Sequence, residues 1–321
     1  MLSFEALLGE FTRYFNRSHF PEAPASLYQP AGYFLQLGGK RVRPVCVLMG
    51  NELFDTILPD TWEVATAIEL FHNFTLIHDD IMDKAPLRRG MATVHARYGE
   101  PTALLAGDVM LVAAYDCLNK VKSPSFHRII RLFNQTAREV CEGQQLDMDF
   151  EKQDQVSLED YLHMITLKTS VLLAASLQLG AILGGAGEGN QQHMYAFGKN
   201  LGIAFQLQDD YLDAFGDPEK FGKQPGGDIL ANKKTFLLIR ALEKAGDTEK
   251  AALQRLLRDN PPDKVEQVLS IYRSAGVDQW ARELKDHYLQ TALEHLDAIA
   301  VVSRRKEPLA NLAQFLVQRD Y

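Results

Sequence analysis

The stretch LIHDDIMDKAPLRRG, from Leu76 to Gly90, sets Asp79, Asp80 and Asp83 within five positions and follows them with Arg88 and Arg89. A second stretch, FQLQDDYLDAFGD from Phe205 to Asp217, repeats the spacing with Asp209, Asp210 and Asp213. Carboxylates at i and i+4 share a helix face, where like charges repel. One such cluster is compatible with a solvated helix end. Two with the same spacing, each after an apolar helical stretch, ask for cations, because crowded carboxylates otherwise resist ionisation. Oxygen donors suit magnesium better than zinc, and His72, His78 and His95 form no HExxH-type pair. A divalent ion held by such a set could also bridge phosphate oxygens.

Basic residues supply the other half of an anion site. GGKRVRP at 38–44 gathers Lys40, Arg41 and Arg43 beside two glycines that allow close backbone approach. Arg88 and Arg89 follow the first acidic cluster, Lys168 and Thr169 open a long apolar run, and Lys223, Lys233 and Lys234 lie in or beside a glycine-rich segment. The chain carries a formal net charge of -8, so these groups are local features in an acidic protein. That balance argues against nucleic acid as a general partner. Two anion positions are expected, one bridged by metal ions and one held mainly by cations.

The elements that must position these groups read as helices almost throughout. TWEVATAIELFHNFTLIH carries Ala67, Leu70, Phe74, Ile77 and Ile81 at intervals of three and four, one wide apolar face. Further helices are expected over about 101–120, 124–149, 160–184, 191–215 and 235–257, and from 263 to the C-terminus with a break near Gly276. Period-two alternation is scarce, so no set of strands is expected. The segment 216–234, dense in glycine, proline and charge, suits a closing loop. No linker divides the chain, which points to one all-α domain over 1–321.

The run SVLLAASLQLGAILGG, from Ser170 to Gly185, is too short and too broken by Gln178 for a confident membrane span. Its small residues Ala174, Ala175, Gly180 and Ala181 suit close helix packing, so no transmembrane segment is expected. MLSFEALLGEFTRYF reads as an amphipathic helix rather than an export signal. Cys46, Cys117 and Cys141 are scattered and odd in number, which fits a reducing cytoplasm better than a disulfide scaffold.

Taken in order, GGKRVRP, DDIMD with RRG, LKT at 167–169, FQLQDD and GGDILANKK make the chain resemble the trans-type isoprenyl diphosphate synthases, the farnesyl and geranylgeranyl diphosphate synthase family. The resemblance implies a helical bundle of the isoprenoid synthase type, a central diphosphate and metal cavity, and a homodimer. It implies that Asp79, Asp80, Asp83, Asp209, Asp210 and Asp213 hold three magnesium ions around an allylic diphosphate, with Asp80 less direct and Asp209 a direct ligand. Arg88, Lys168, Lys223 and Lys233 resemble the residues that clasp the same group. Gly39, Lys40, Arg43, His72 and Arg89 resemble a metal-free pocket for isopentenyl diphosphate. Thr169 and Gln206 match positions beside the reacting carbon, and Gln144 and Asp147 in EGQQLD match a supporting polar motif. For Gln144 and Asp147 a plain helix–helix hydrogen bond is the open alternative.

The implied chemistry is ionisation of the allylic diphosphate, attack by the isopentenyl double bond, and proton loss to give an allylic product five carbons longer. Water must be excluded from the cation, which would give 216–234 a lid role. Phe74, five residues before Asp79, matches the position that closes the product tunnel in short-chain members, with Phe71 one turn deeper. Thr75 stands where a second aromatic would favour the farnesyl product, so the expectation is geranylgeranyl diphosphate, with farnesyl diphosphate as the alternative. A class I terpene cyclase would need no isopentenyl diphosphate, and a non-catalytic binding subunit would show no metal-dependent turnover. Both stay open at this point.

Overall fold

Proline and glycine punctuation, polar caps and apolar periodicity produce the helical elements of this chain. The structure is a computed structural model, and it describes residues 1–217 and 226–318. The described residues are all-α apart from one small hairpin, as the sequence leads one to expect. The helices of the first half are α1 (Phe4–Phe15), α2 (Ala25–Gln36), α3 (Val42–Glu52), α4 (Pro59–Met82), α5 (Val94–Tyr98), α6 (Glu100–Leu118) and α7 (Phe126–Glu151). The hairpin pairs β1 (Leu87–Arg88) antiparallel with β2 (Met91–Ala92) around Arg89 and Gly90, both at positive φ. Next come α8 (Leu158–Ile165), a π-type turn (Thr166–Ser170), α9 (Val171–Leu183) and α10 (Glu188–Phe215). Shorter helices follow over Gly227–Leu230, Phe236–Lys244, Asp247–Asp259, Lys264–Ser274, Val277–Asp297 and Ser303–Val317.

Two compact units can be distinguished. The first comprises Met1–Asn134, Ala175–Met194 and Ala300–Pro308; the second comprises Gln135–Ala174, Tyr195–Ile299 and Leu309–Tyr321. In the first unit α4 is the central element. Pro59 opens it, and the fully buried Asn51 at the end of α3 fixes its start by accepting from Leu58 N and from the Thr61 hydroxyl. Val64, Ala65, Ala67, Ile68, Leu70 and Phe71 are buried along it. Each large apolar side chain so removed from water contributes about 1.5–3 kcal/mol. Gly180 on α9 lies so close to α3 that an added Cβ would come within 2.1 Å of Val47 O, which explains the small residues of the 170–185 run.

The second unit has its own apolar core, in which Leu207, Phe236, Leu253, Val268 and Val277 are buried. The continuous helix expected over 235–257 is instead broken at Ala245, whose backbone is extended. Gly246 then caps a new helix whose Glu249 accepts from the Gly246 amide. Within 160–184 the ladder shifts into the π-type turn. Two helical stretches, Glu100–Leu118 and Leu158–Leu183, are long and apolar enough by composition to cross a membrane, and the second is 72% buried inside the protein.

Candidate active site

In the first unit α4 carries Asp79, Asp80 and Asp83 at its C-terminal end, and the β1–β2 hairpin returns Arg88 to them. Asp80 is only 1% exposed, and Arg88 Nε donates to both its oxygens at 2.8 and 2.9 Å. Arg88 also lies 3.5 Å from Asp79 Oδ2. Burial raises the Asp80 carboxyl above its ordinary value, against the opposing pull of Arg88. The hairpin is held in place by Thr93, whose hydroxyl donates to Ala85 O, and by Tyr33, whose hydroxyl donates to Ala92 O.

The same unit contains the basic loop before α3. Gly38, Gly39 and Arg41 all take positive φ, which makes a sharp, concave turn. Arg89 donates to Gly38 O, and its guanidinium lies 2.9 Å from where a Cβ on Gly39 would stand, at a φ of +148° that favours glycine. Arg43 Nη1 lies 3.2 Å from His72 Nε2. Desolvation, followed by the charges of Arg43, Arg89, Arg88 and Arg41, holds His72 well below the ordinary histidine value, so its ring is neutral and accepts from Arg43. Arg43 Nε is buried and has no partner among the described residues.

Below the first aspartate cluster the aromatic rings of α4, α6 and α7 form a chain. Phe74 packs edge-on to His78 with centroids 4.8 Å apart and lies tilted against Phe71 at 5.7 Å. Phe71 packs edge-on to Phe133 at 5.3 Å, and Phe133 to Tyr115 at 5.4 Å. Thr75 turns its hydroxyl to His72 O instead of adding bulk beside Phe74.

The second unit holds the other set. The π-type turn brings Lys168 and Thr169 between α7 and α10, where two glycines make room for it. A Cβ on Gly143 would come within 2.2 Å of Lys168 N, and one on Gly202 within 2.7 Å of the Ser170 Cα. One helical turn beyond each glycine stands the partner of a turn residue: Lys168 Nζ is 2.6 Å from Asp147, and the Thr169 hydroxyl donates to Gln206 Oε1 at 3.1 Å. Gln206 in turn donates to Asp210 Oδ1 at 2.8 Å, while the buried Tyr161 hydroxyl donates to Oδ2 at 2.6 Å. Asp210 is 5% exposed, and burial pushes its carboxyl up to about 6. Gln144 Nε2 is buried with no partner among the described residues. Asp213 accepts from the Asp228 amide at 2.9 Å, and Lys233 lies 3.8 Å from Asp228. Asp79 and Asp209 are half-buried, and Asp83 is exposed.

The structure thus brings together Arg88 with Asp79 and Asp80, Arg43 with His72, Arg89 with Gly39, and Lys168, Thr169, Gln206 and Asp210 with their neighbours. Lys223, much of the 216–234 segment and the end of FLVQRDY lie outside the described residues. Tyr161, Gly143, Gly202 and Asp228 are parts of these arrangements that sequence reasoning did not single out. A hydrogen-bond donor such as Tyr161, 49 positions from its carboxylate, leaves no local pattern to read.

Hard carboxylate oxygens of this kind fit magnesium, which takes one or two protein carboxylates and fills the rest of its shell from substrate phosphates and water. Among the described residues no three acidic, histidine or cysteine side chains are grouped closely enough to form a metal site by themselves.

Comparison with known proteins places the chain. The sequence pattern described as Polyprenyl synthetase matches residues 24–274. A geranylgeranyl pyrophosphate synthase of Geoglobus acetivorans is 38% identical over 308 residues, covering 94% of this chain and 93% of that one. A geranylfarnesyl diphosphate synthase of Natronomonas pharaonis is 35% identical over 319 residues, covering 94% and 92%. A crystal structure of geranylgeranyl pyrophosphate synthase superposes with a TM-score of 0.94 at 41% identity, covering 99% of each chain. Relatives named for different products are thus nearly equally similar, so overall identity does not choose among products. The order and integrity of its motifs, matched by a family pattern over most of its length, make this protein a member of the polyprenyl synthetase family, enzymes that join isopentenyl diphosphate to an allylic diphosphate.

Proposed function

We propose that the enzyme elongates a shorter allylic diphosphate to geranylgeranyl diphosphate with three magnesium ions per site. The observation that carries the product length is the aromatic floor below Asp79, in which Phe74 rests on Phe71 and Phe71 on Phe133. A helical turn advances about 5 Å, near the length of one isoprene unit, so a ring one turn and a half below the diphosphate end stops growth early. The turned-away Thr75 hydroxyl leaves the space that a second ring would fill in a shorter-product enzyme.

Asp79, Asp83, Asp209 and Asp213 would hold the magnesium ions, whose charge stabilises diphosphate as it departs. Asp80 and Asp210 belong to the same metal-holding set but act less directly, since both are buried and hydrogen-bonded and fix the helix ends that carry the others. Lys168, tethered by Asp147, and Lys233, beside Asp228, add cationic charge to the leaving group, and Lys223 is assigned with them. Thr169 and Gln206, with the Lys168 carbonyl, face positive charge developing on the allylic carbon with oxygen lone pairs. Gln144 supports this set from α7. Gly39, Lys40, Arg43, His72 and Arg89 take the diphosphate of isopentenyl diphosphate without metal; a diphosphate oxygen there would satisfy the buried Arg43 Nε. No protein nucleophile is needed.

Three free cysteines, two of them buried, suit a reducing cytoplasm. The apolar exposed side chains Leu104, Leu105 and Val112 of α6 suit a second copy of the chain, giving a homodimer. The deciding experiment supplies labelled isopentenyl diphosphate with five-, ten- and fifteen-carbon allylic primers and sizes the products. A twenty-carbon main product is expected; a fifteen- or twenty-five-carbon main product would overturn the assignment. Sedimentation velocity checks the dimer, and Leu105→Arg is expected to weaken it.

A further inference from the structure

We propose that Glu69 is a positioning residue for the isopentenyl diphosphate pocket, acting through Arg41; the inference rests on the pocket assignment made above. The loop before α3 and the hairpin after α4 present Lys40, Arg41, Arg43, Arg88 and Arg89, and sequence alone gives no reason to set Arg41 apart. Contacts do. Arg88 pairs with Asp80, Arg43 with the neutral His72, and Arg89 with the Gly38 carbonyl. Arg41 turns instead toward a second buried carboxylate on α4, Glu69, which is 3% exposed. Its second terminal nitrogen donates to Leu35 O at the end of α2, and its guanidinium lies 4.8 Å from the centroid of the Phe15 ring on α1. One side chain therefore ties α1, α2 and α4 to the first residue of the α3 cap.

The backbone at Arg41 needs that tie. Its φ is +48°, a left-handed conformation disfavoured for a non-glycine residue. Such a conformation persists only where the surroundings over-determine it. Lys40 immediately precedes Arg41 and Arg43 lies two residues after it, so their directions follow from its backbone. Glu69 and His72 stand three apart on one face of α4, and each receives one arginine of the loop. Asn73 completes the support by donating to Glu69 Oε1 at 2.7 Å. Removing the Glu69 charge leaves Arg41 buried without its counter-ion, which favours release of the arginine and relaxation of the turn. The diphosphate pocket is loosened with it, while the metal-dependent allylic site keeps its own residues.

The test uses the full-length enzyme with Glu69→Gln, Arg41→Lys and, as a reference for the pocket itself, Lys40→Ala. The expected result for Glu69→Gln is a rise of about tenfold in KM for isopentenyl diphosphate, the scale of one charge-assisted interaction, with kcat and the allylic KM within about twofold. Arg41→Lys keeps the charge but loses the forked contact, so a smaller rise confined to the same KM is expected. An unchanged KM for isopentenyl diphosphate in a folded Glu69→Gln enzyme overturns the proposal, as does an equal rise in both KM values, the mark of a merely structural role. Should Glu69→Gln fail to fold, Arg41→Lys decides by the same criteria. If Lys40→Ala also leaves that KM unchanged, the pocket assignment itself falls; if only Lys40→Ala raises it, the pocket stands and the role of Glu69 falls.

Discussion

Asp80 and Asp210 occupy the same place in two copies of one sequence pattern, yet their surroundings differ in kind. Asp80 is neutralised by a cation, Arg88, delivered on a hairpin only eight residues away. Asp210 is held by neutral donors, Tyr161 and Gln206, and its carboxyl is pushed up to about 6. The contrast shows that identical spacing fixes where a carboxylate sits on its helix without fixing how its charge is managed. The first cluster is built around a buried ion pair, the second around a buried hydrogen-bond network.

The largest effect is expected at an outward carboxylate. Asp79→Ala should lower magnesium-dependent turnover by about 10²–10³-fold. Assays across magnesium concentrations that match the parent would remove its metal role. Next comes the inner pair. Arg88→Met leaves Asp80 buried without its cation and should cost about 3–5 kcal/mol of stability. Tyr161→Phe removes one hydrogen bond from Asp210 and should cost about 1–3 kcal/mol. Urea unfolding of both variants breaks the contrast if Tyr161→Phe proves the costlier change.

Product length tests a different part of the first unit. Phe74→Ala should lengthen the main product by about one isoprene unit and no more, because Phe71 backed by Phe133 lies one turn beneath. Chromatographic sizing of an unchanged product from an active variant would dismiss the aromatic floor. The smallest effect concerns His72. Its folded-state pKa lies well below the ordinary value, so below about pH 6.5 the unfolded chain binds the extra proton more readily. The stability contribution is therefore complete above that pH and is lost as pH falls toward the folded-state value. Unfolding midpoints measured from about pH 7.5 to about pH 5 should decline, and His72→Gln should flatten that decline.

Much of this was legible in the residues. The aspartate repeats and the all-helical class follow from spacing and composition, because each is a local pattern on one element, whereas the LKT motif, Gln206 and Phe74 stand out through the resemblance to the isoprenyl diphosphate synthases. What stayed hidden depends on residues far apart in the chain. Glu69 meets Arg41 across 28 positions and Tyr161 meets Asp210 across 49, and neither separation carries a period. The π-type turn is concealed because an apolar run reads as a helix whatever its ladder does. The break at Ala245–Gly246 was signalled by glycine followed by acidic first-turn residues, a cap that the apolar periodicity on either side outweighed.

The two glycines that flank the π-type turn have a consequence for anyone altering the enzyme. A methyl group at residue 143 or 202 would add no charge and remove no polar atom, yet it would shove the same five-residue segment sideways. Lys168 and Thr169 would then shift as one body, so the two roles proposed for them, grip on the departing group and shielding of the carbon left behind, would be mechanically coupled and not adjustable separately by engineering either neighbour.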